Sequence, residues 1–415
     1  MNTLAYHALS IGAAAALLAG CAAAQPPTGA TPGGLTQSIH LATSSYEVLY
    51  RFDDHANGGE PLGRLLDVKG TLYGTASEGG TRQCSHGCGT VYSISPLGRV
   101  SLVFSFSAGD GAQPDTGLTD VKGTLYGTTP RGGASRRGTV YGITTAGVEA
   151  LLYSFKGLSD GQHPQGRLIN VNGTLFGTAG GGGGKCNCGV VYSLTTSGEE
   201  KVLYRFKSGP DGSSPKALVF INGMLYGTTT VGGAGTGCGN GTAGCGTFYS
   251  LSMSGKHKVL YSFGGGSDGA YPEGELISVS GTLYGLTGSG GSGLGTVYSI
   301  TTSGAEQVVY RFVGGSDGAD PVGGLLDLNG TLYGTTYSGG GTDCFPTTNL
   351  GCGTIYSVTT SGAESVLHRF AGGSDGNSPM TALTDLHGSL YGTASRGGNT
   401  KYLKRCCGTV FRFTP

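Results

Sequence analysis

Gly324-Leu-Leu-Asp-Leu-Asn-Gly-Thr-Leu-Tyr-Gly-Thr-Thr336 reads as two short β-type runs, Gly324 to Leu328 and Thr331 to Thr336, joined by Asn329-Gly330. An Asn-Gly pair between such runs suits a type I′ turn, whose two central residues need positive φ, so the stretch predicts a tight antiparallel hairpin. Further along, Gly353-Thr-Ile-Tyr-Ser-Val358 and Val366-Leu-His-Arg-Phe370 flank a short turn through Thr360-Ser-Gly362 and predict a second hairpin. With the four runs named A, B, C and D, the unit is an antiparallel sheet, and no stretch shows helical periodicity with caps.

The unit recurs along the chain. Leu-Tyr-Gly or Leu-Phe-Gly returns with Tyr73, Tyr126, Phe176, Tyr226, Tyr284, Tyr333 and Tyr391 as its aromatic. The spacing is roughly fifty residues, the period of an array or a propeller. Lys69-Gly70, Asn172-Gly173, Asn222-Gly223 and His387-Gly388 repeat the A-to-B turn. The pattern predicts an all-β, seven-bladed β-propeller with four antiparallel strands per blade. Its ends supply the argument for closure. The final copy has A at Ala382 to Leu386, B at Ser389 to Thr393 and C at Gly408 to Phe413, then reaches Pro415 without D. The first repeat-like residues, Glu47-Val-Leu-Tyr-Arg-Phe52, are a D strand with no A, B or C before them. Pairing of this N-terminal strand with the last blade closes the ring and leaves no hanging sheet edge. The propeller is therefore assigned to residues 46–415.

Composition agrees with a turn-dense β chain. Of 415 residues, 84 are Gly, about three times the usual share. There is no Gly-X-Y period, which excludes collagen. The formal net charge of +0 gives no electrostatic reason to expect a nucleic acid or an anionic lipid surface as partner. At the N-terminus, Ile11-Gly-Ala-Ala-Ala-Ala-Leu-Leu-Ala-Gly20 is too short to span a bilayer and ends against Cys21. Leu18-Ala-Gly-Cys21 resembles the bacterial lipobox, which implies a signal peptide over 1–20, cleavage before Cys21 and lipidation of that thiol. The segment before it departs from the pattern in having no Lys or Arg. Residues 21–45, rich in Ala, Pro, Thr, Gly and Ser, read as a flexible tether. The expectation is an exported monomer, an outer-membrane lipoprotein held by its lipid alone, or otherwise a periplasmic or secreted protein.

The repeat also resembles a family, the bacterial GloVer-type tandem repeat proteins. Tyr261-Ser-Phe263, Ser267-Asp-Gly269, Pro272, Gly281-Thr-Leu-Tyr-Gly285 and Gly295-Thr-Val-Tyr298 carry the resemblance, which covers nearly all of the chain after the tether. It implies an exported, propeller-like protein of unassigned activity and supplies no catalytic residues.

In a propeller the D-to-A and B-to-C connections share one face. All of the length variation lies there, as in Gly232 to Gly246 and Gly339 to Gly353, and loops on a rigid scaffold are where binding concentrates. Five B-to-C loops hold a cysteine pair: Cys84 and Cys88, Cys186 and Cys188, Cys238 and Cys245, Cys344 and Cys352, Cys406 and Cys407. In an exported chain these predict disulfides within loops. For Cys186 with Cys188 and for Cys406 with Cys407, bonds to neighbouring loops or free thiols stay open, because such small rings are strained.

Two carboxylate sets invite a cation. Asp110, Asp160, Asp211, Asp268, Asp317 and Asp375 precede Gly in the D-to-A loops, where turn chemistry is the favoured reading. Asp67, Asp120, Asp327 and Asp385 end strand A in blades that become contiguous on closure. They are the candidate metal ligands, for calcium, with hairpin capping as the alternative. No other cofactor is expected. Gly239-Asn-Gly-Thr-Ala-Gly244 matches a dinucleotide fingerprint but leads into a strand, not a helix, and is discounted. Tyr92, Tyr141, Tyr192, Tyr249, Tyr298, Tyr356 and Phe411 of strand C read as blade-to-blade packing. His55, His163, His257 and His368 share no position in the repeat and mark no catalytic triad. The leading reading is a non-catalytic envelope protein that binds a protein or glycan on its disulfide-stiffened loops. The alternatives are an enzyme acting on extracellular polysaccharide at the channel mouth and a purely structural surface protein.

Overall fold

The computed structural model describes residues 44–53, 56–238, 244–291, 293–341, 344, 351–398 and 407–415. Cys21, the signal segment, most of the tether, His55, residues 239–243 and Cys406 lie outside the described residues. Residues Thr43–Pro415 form one compact unit.

Seven antiparallel sheets follow one another, each in the order A, B, C, D. Blade 3 is typical, with A at Gln162–Val171, B at Thr174–Gly181, C at Val190–Thr195 and D at Glu200–Arg205. The A-to-B turns have the geometry their composition demands: Asn172 is at φ 53° and Gly173 at 86°, Lys69 at 54° and Gly70 at 82°. The ring closes as the chain ends predict. Ser45–Arg51 pairs antiparallel with Thr409–Thr414, Tyr46 opposite Phe413 and Val48 opposite Phe411, and so becomes strand D of blade 7.

Strand A differs from its expected extent. In blade 3 it begins two residues before Pro164, and in blade 6 the same course is made by Ala319–Pro321 and Leu326–Leu328, both paired with one B strand. The residue before each proline lies in the left-handed region, at 60° in Gln113, 56° in Ser214 and 58° in Tyr271, which is not a strand pattern and hides the start of A from sequence reading. A bond to the neighbouring blade holds it there. The Gln113 amide donates to the Cys88 carbonyl at 2.9 Å, Ser214 to Cys188 at 2.9 Å and Tyr271 to Cys245 at 2.8 Å. Each such bond contributes roughly 1 kcal/mol, about what the left-handed residue costs. The proline then packs on the glycine that opens strand C of the previous blade. A Cβ on Gly89, at φ 92°, would stand 2.4 Å from Pro114 Cδ, so that position requires glycine.

The blade interfaces are aromatic. Phe52, just after strand D of blade 7, meets Tyr92 of blade 1 edge-on at 5.1 Å and 69°, and Phe206 meets Tyr249 at 5.2 Å and 68°. Phe370 and Phe411 make the corresponding pair in blade 7 at 5.3 Å. The strand-C rings are buried, as their role in blade packing predicts. Each passes over the glycine of Leu-Tyr-Gly or Leu-Phe-Gly; a Cβ on Gly177 would lie 2.5 Å from Tyr192 Oη. The repeated glycine is thus the slot for the repeated tyrosine.

Candidate functional site

The cysteines close the loops in which they lie. Cys84 is bonded to Cys88, Cys186 to Cys188, Cys238 to Cys245 and Cys344 to Cys352. The Cys186 pair therefore stays within its loop and does not reach a neighbour. Cys407 is disulfide-bonded as well. Cys88, Cys188, Cys245 and Cys352 are buried at the foot of strand C; the carbonyls of the first three accept the inter-blade bonds described above, and that of Cys352 accepts the Ser378 amide at 2.9 Å. The disulfides indicate an oxidising compartment, extracellular or periplasmic.

Both carboxylate sets serve turns. Asp67 Oδ1 accepts the Gly70 amide at 2.8 Å, Asp120 that of Gly123 at 2.8 Å, Asp327 that of Gly330 at 2.9 Å and Asp385 that of Gly388 at 3.0 Å. Among the described residues, no three His, Cys, Asp or Glu side chains are grouped so as to hold a metal ion. Millimolar calcium is therefore expected to leave the melting temperature unchanged, whereas Asp327→Ala and Asp385→Ala each cost about 0.5–2 kcal/mol through the lost turn cap. Thermal unfolding with and without calcium checks both. The D-to-A acids act similarly: Asp160 accepts Tyr153 Oη at 2.6 Å and the Gly157 amide at 3.0 Å, and Asp211 accepts Tyr204 Oη at 2.7 Å.

At three of these junctions a second carboxyl joins the group, Glu200 beside Tyr153 and Asp160 being one. Tyr261 Oη lies 2.7 Å from Asp268 Oδ1 and 3.2 Å from Glu306 Oε2. Tyr310 stands likewise between Asp317 at 3.0 Å and Glu364 at 3.5 Å. Burial, then the charge of Asp268, pushes the Glu306 carboxyl up to about 7; burial and Asp317 do the same to Glu364.

The richest chemistry lies in the central channel, at positions that sequence reading passed over. The residue after the proline of strand A reads Leu62, Asp115, Gln165, Lys216, Glu273, Val322 and Met380 around the ring. Six of these line a cavity of about 400 Å³ on the propeller axis, with Arg64 and Glu275 among its further walls. Glu275 of blade 5 meets Arg64 of blade 1 at 3.3 Å and Arg167 of blade 3 at 3.1 Å, so one carboxylate ties three blades across the channel. Burial works to raise the Glu275 carboxyl, but Arg167 and Arg64 outweigh it and hold it below the ordinary range. Lys216 Nζ pairs with Glu273 Oε2 at 3.0 Å. An adjoining cavity of about 340 Å³ shares Leu62 and Asp115 and is lined also by Glu60, Ser77, Gln113, Pro130, Arg131, His163 and Gln165. These come from the starts of A strands and the ends of B strands, hence from the side of the disulfide-closed loops.

Asp115 stands out within this lining. Its Oδ1 is buried without a hydrogen-bond partner, and so is Oε1 of neighbouring Gln165. Burial pushes the Asp115 carboxyl up to about 6, with Lys216 and then Arg131 opposing. Burial, then Arg137 and Arg131, lowers His163 and so favours its neutral imidazole. Ser77 Oγ donates to Glu60 Oε2 at 3.0 Å, a carboxylate rather than an imidazole base, so its hydroxyl is not arranged as a nucleophile. One signal could have exposed the site. Between a repeated Pro and a repeated Leu, the position after the proline holds a different residue in every copy, apolar in three and polar or charged in four.

No curated protein matches the chain. Among solved structures, puromycin hydrolase aligns at 12% identity with a TM-score of 0.52, covering 82% of this chain and 50% of that one. The computationally designed protein Ika8 aligns at 15% identity and 0.49, covering 89% and 99%. A gluconolactonase from Xanthomonas campestris aligns at 15% identity and 0.41, covering 70% and 82%. The likeness to puromycin hydrolase is one of fold alone. A family profile, by contrast, matches residues 18–240 and 234–415, in keeping with the resemblance carried by the repeat motifs. The chain thus belongs to the Gloeobacter/Verrucomicrobia repeat family.

Proposed function

We propose that this protein is a non-catalytic binding protein of the bacterial cell envelope, anchored through Cys21 and capturing a protein or glycan on its disulfide-closed face. One observation carries the reading: the disulfides Cys84–Cys88, Cys186–Cys188, Cys238–Cys245 and Cys344–Cys352 all stiffen B-to-C loops, on the side where the polar mouth of the channel lies. Short disulfide-closed loops contribute little to the stability of a ring, since closing a short loop removes little chain entropy. They do fix the shape of loop tips, which reduces the ordering cost of binding.

The experiment is a glycan array and an envelope pull-down with the full-length oxidised chain, repeated after mild reduction. Binding is expected in the oxidised state and is expected to fall sharply on reduction while the blades stay folded by circular dichroism. Binding that is indifferent to reduction would take the function off these loops. Turnover of a polysaccharide would favour the enzymatic alternative instead.

A further inference from the structure

We infer that the channel mouth around Asp115 and Gln165 is a binding site for a neutral saccharide, which the two side chains grip through its hydroxyl groups. The inference rests on the reading of the chain as a ligand-binding propeller and names the ligand class and place. Asp115 Oδ1 and Gln165 Oε1 are buried acceptors on adjacent blades, both on the wall of one cavity, and neither has a donor. No protein donor reaches either acceptor, so the donors of an entering ligand find both free to accept. Two donor classes fit a carboxylate, an ammonium group and hydroxyls. Lys216 and Arg131 already act on Asp115 as positive charges, which disfavours a cationic ligand and leaves hydroxyls.

The opposite arc of the ring supplies the second half of the argument. At the position equivalent to Asp115, blades 6, 7 and 1 present Val322, Met380 and Leu62 to the adjoining axial cavity, whose wall Asp115 shares. The lining is therefore polar on one arc and aliphatic on the other, which matches a sugar ring with hydroxyls along its edge and C–H groups on its face. A cavity of about 400 Å³ is within the range of small-ligand sites. Lys216, held by Glu273 at 3.0 Å, adds a fixed donor beside the two acceptors, so that neighbouring hydroxyls can both donate and accept.

The test is calorimetric titration of the full-length chain with glucose, galactose, N-acetylglucosamine and their β-linked disaccharides, with ethylammonium as the cationic control. The titrations run to about 50 mM ligand, where a complex of Kd ~1 mM would be nearly saturated. At least one sugar is expected to bind, and Asp115→Asn and Gln165→Leu are each expected to weaken it by roughly tenfold or more. Gln165→Leu is half-buried and carries the test if Asp115→Asn does not fold. No binding by any sugar, or binding by ethylammonium in its place, overturns the inference. Sugar binding that survives both substitutions but is lost on reduction supports the loop face and removes the channel site. Binding that needs Asp115 or Gln165 but withstands reduction keeps the channel site and removes the loop reading.

Discussion

A chain that begins at Asp53, and so lacks Ser45–Arg51 and Phe52, is expected to lose cooperative unfolding and to aggregate. The missing strand is D of blade 7, and without it Thr409–Thr414 becomes an open edge whose backbone groups have no partner on that side. The interface between blades 7 and 1 suffers as well. Phe52 is buried at 1% exposure among Leu65, Leu72, Tyr92, Ile94, Tyr391 and Val410. Phe52→Ala alone should cost about 3–5 kcal/mol. A typical domain has only about 5–15 kcal/mol of stability to lose, and the strand's backbone bonds and the Tyr46–His368 stack at 3.7 Å bring the deletion to a comparable size. A synthetic peptide of residues 44–52 should restore the melting transition when added in trans. A truncated chain that melts at the full-length temperature would show that the ring does not depend on this closure.

The second large effect is one of pH. In the folded chain Glu306 and Glu364 bind protons up to about pH 7, against an ordinary value of 4.5. Below 4.5 both the folded and unfolded states are protonated, and these groups contribute nothing. As pH rises from 4.5 to 7 the unfolded state sheds protons that the folded state retains, so their contribution to stability falls; above 7 the folded state carries ionised carboxylates beside Asp268 and Asp317, and the penalty is complete. Both side chains keep some solvent contact, which reduces the penalty below its nominal value. The Glu306→Gln, Glu364→Gln double variant is therefore expected to melt several degrees above wild type at pH 8, with the gap closing at pH 5. His163 and His257, both lowered first by burial, favour unfolding as pH falls below about 6.5 and work in the opposite sense. They are unchanged in the double variant, so the difference between the two melting curves isolates the carboxyls. A gap that is equal at pH 5 and pH 8 would remove the carboxyls as its cause.

These junction groups show where sequence reading stops. Asp268 was legible as a turn residue because its partners include the amide of Gly264, four residues away. Glu306, the second carboxyl against the same tyrosine, stands 45 residues from Tyr261 and in another blade. The same limit applied to strand A. Its hairpin end followed from Lys69-Gly70 and Asn172-Gly173, whereas its start depended on a left-handed residue held by the neighbouring blade.

The sequence by itself determined the architecture. Two-residue turns ending in glycine, runs of strand-forming residues, seven copies of Leu-Tyr-Gly or Leu-Phe-Gly and the unmatched D strand at Glu47 to Phe52 are local or countable features, and ring closure follows from them without coordinates. Loop-internal cysteine pairing was readable for the same reason, since partners only 4 to 8 residues apart for Cys84–Cys88, Cys238–Cys245 and Cys344–Cys352 have little choice. What faces the channel was decided by tertiary structure alone. Glu275 is 211 residues from Arg64 and 108 from Arg167, and Asp115 and Gln165 become neighbours only because adjacent blades bring their A strands to the axis. Repetition reveals the positions that every blade must use for packing, while the channel combines one different residue from each blade. Its chemistry therefore resides in the departures from the repeat, and only the closed ring brings those departures together.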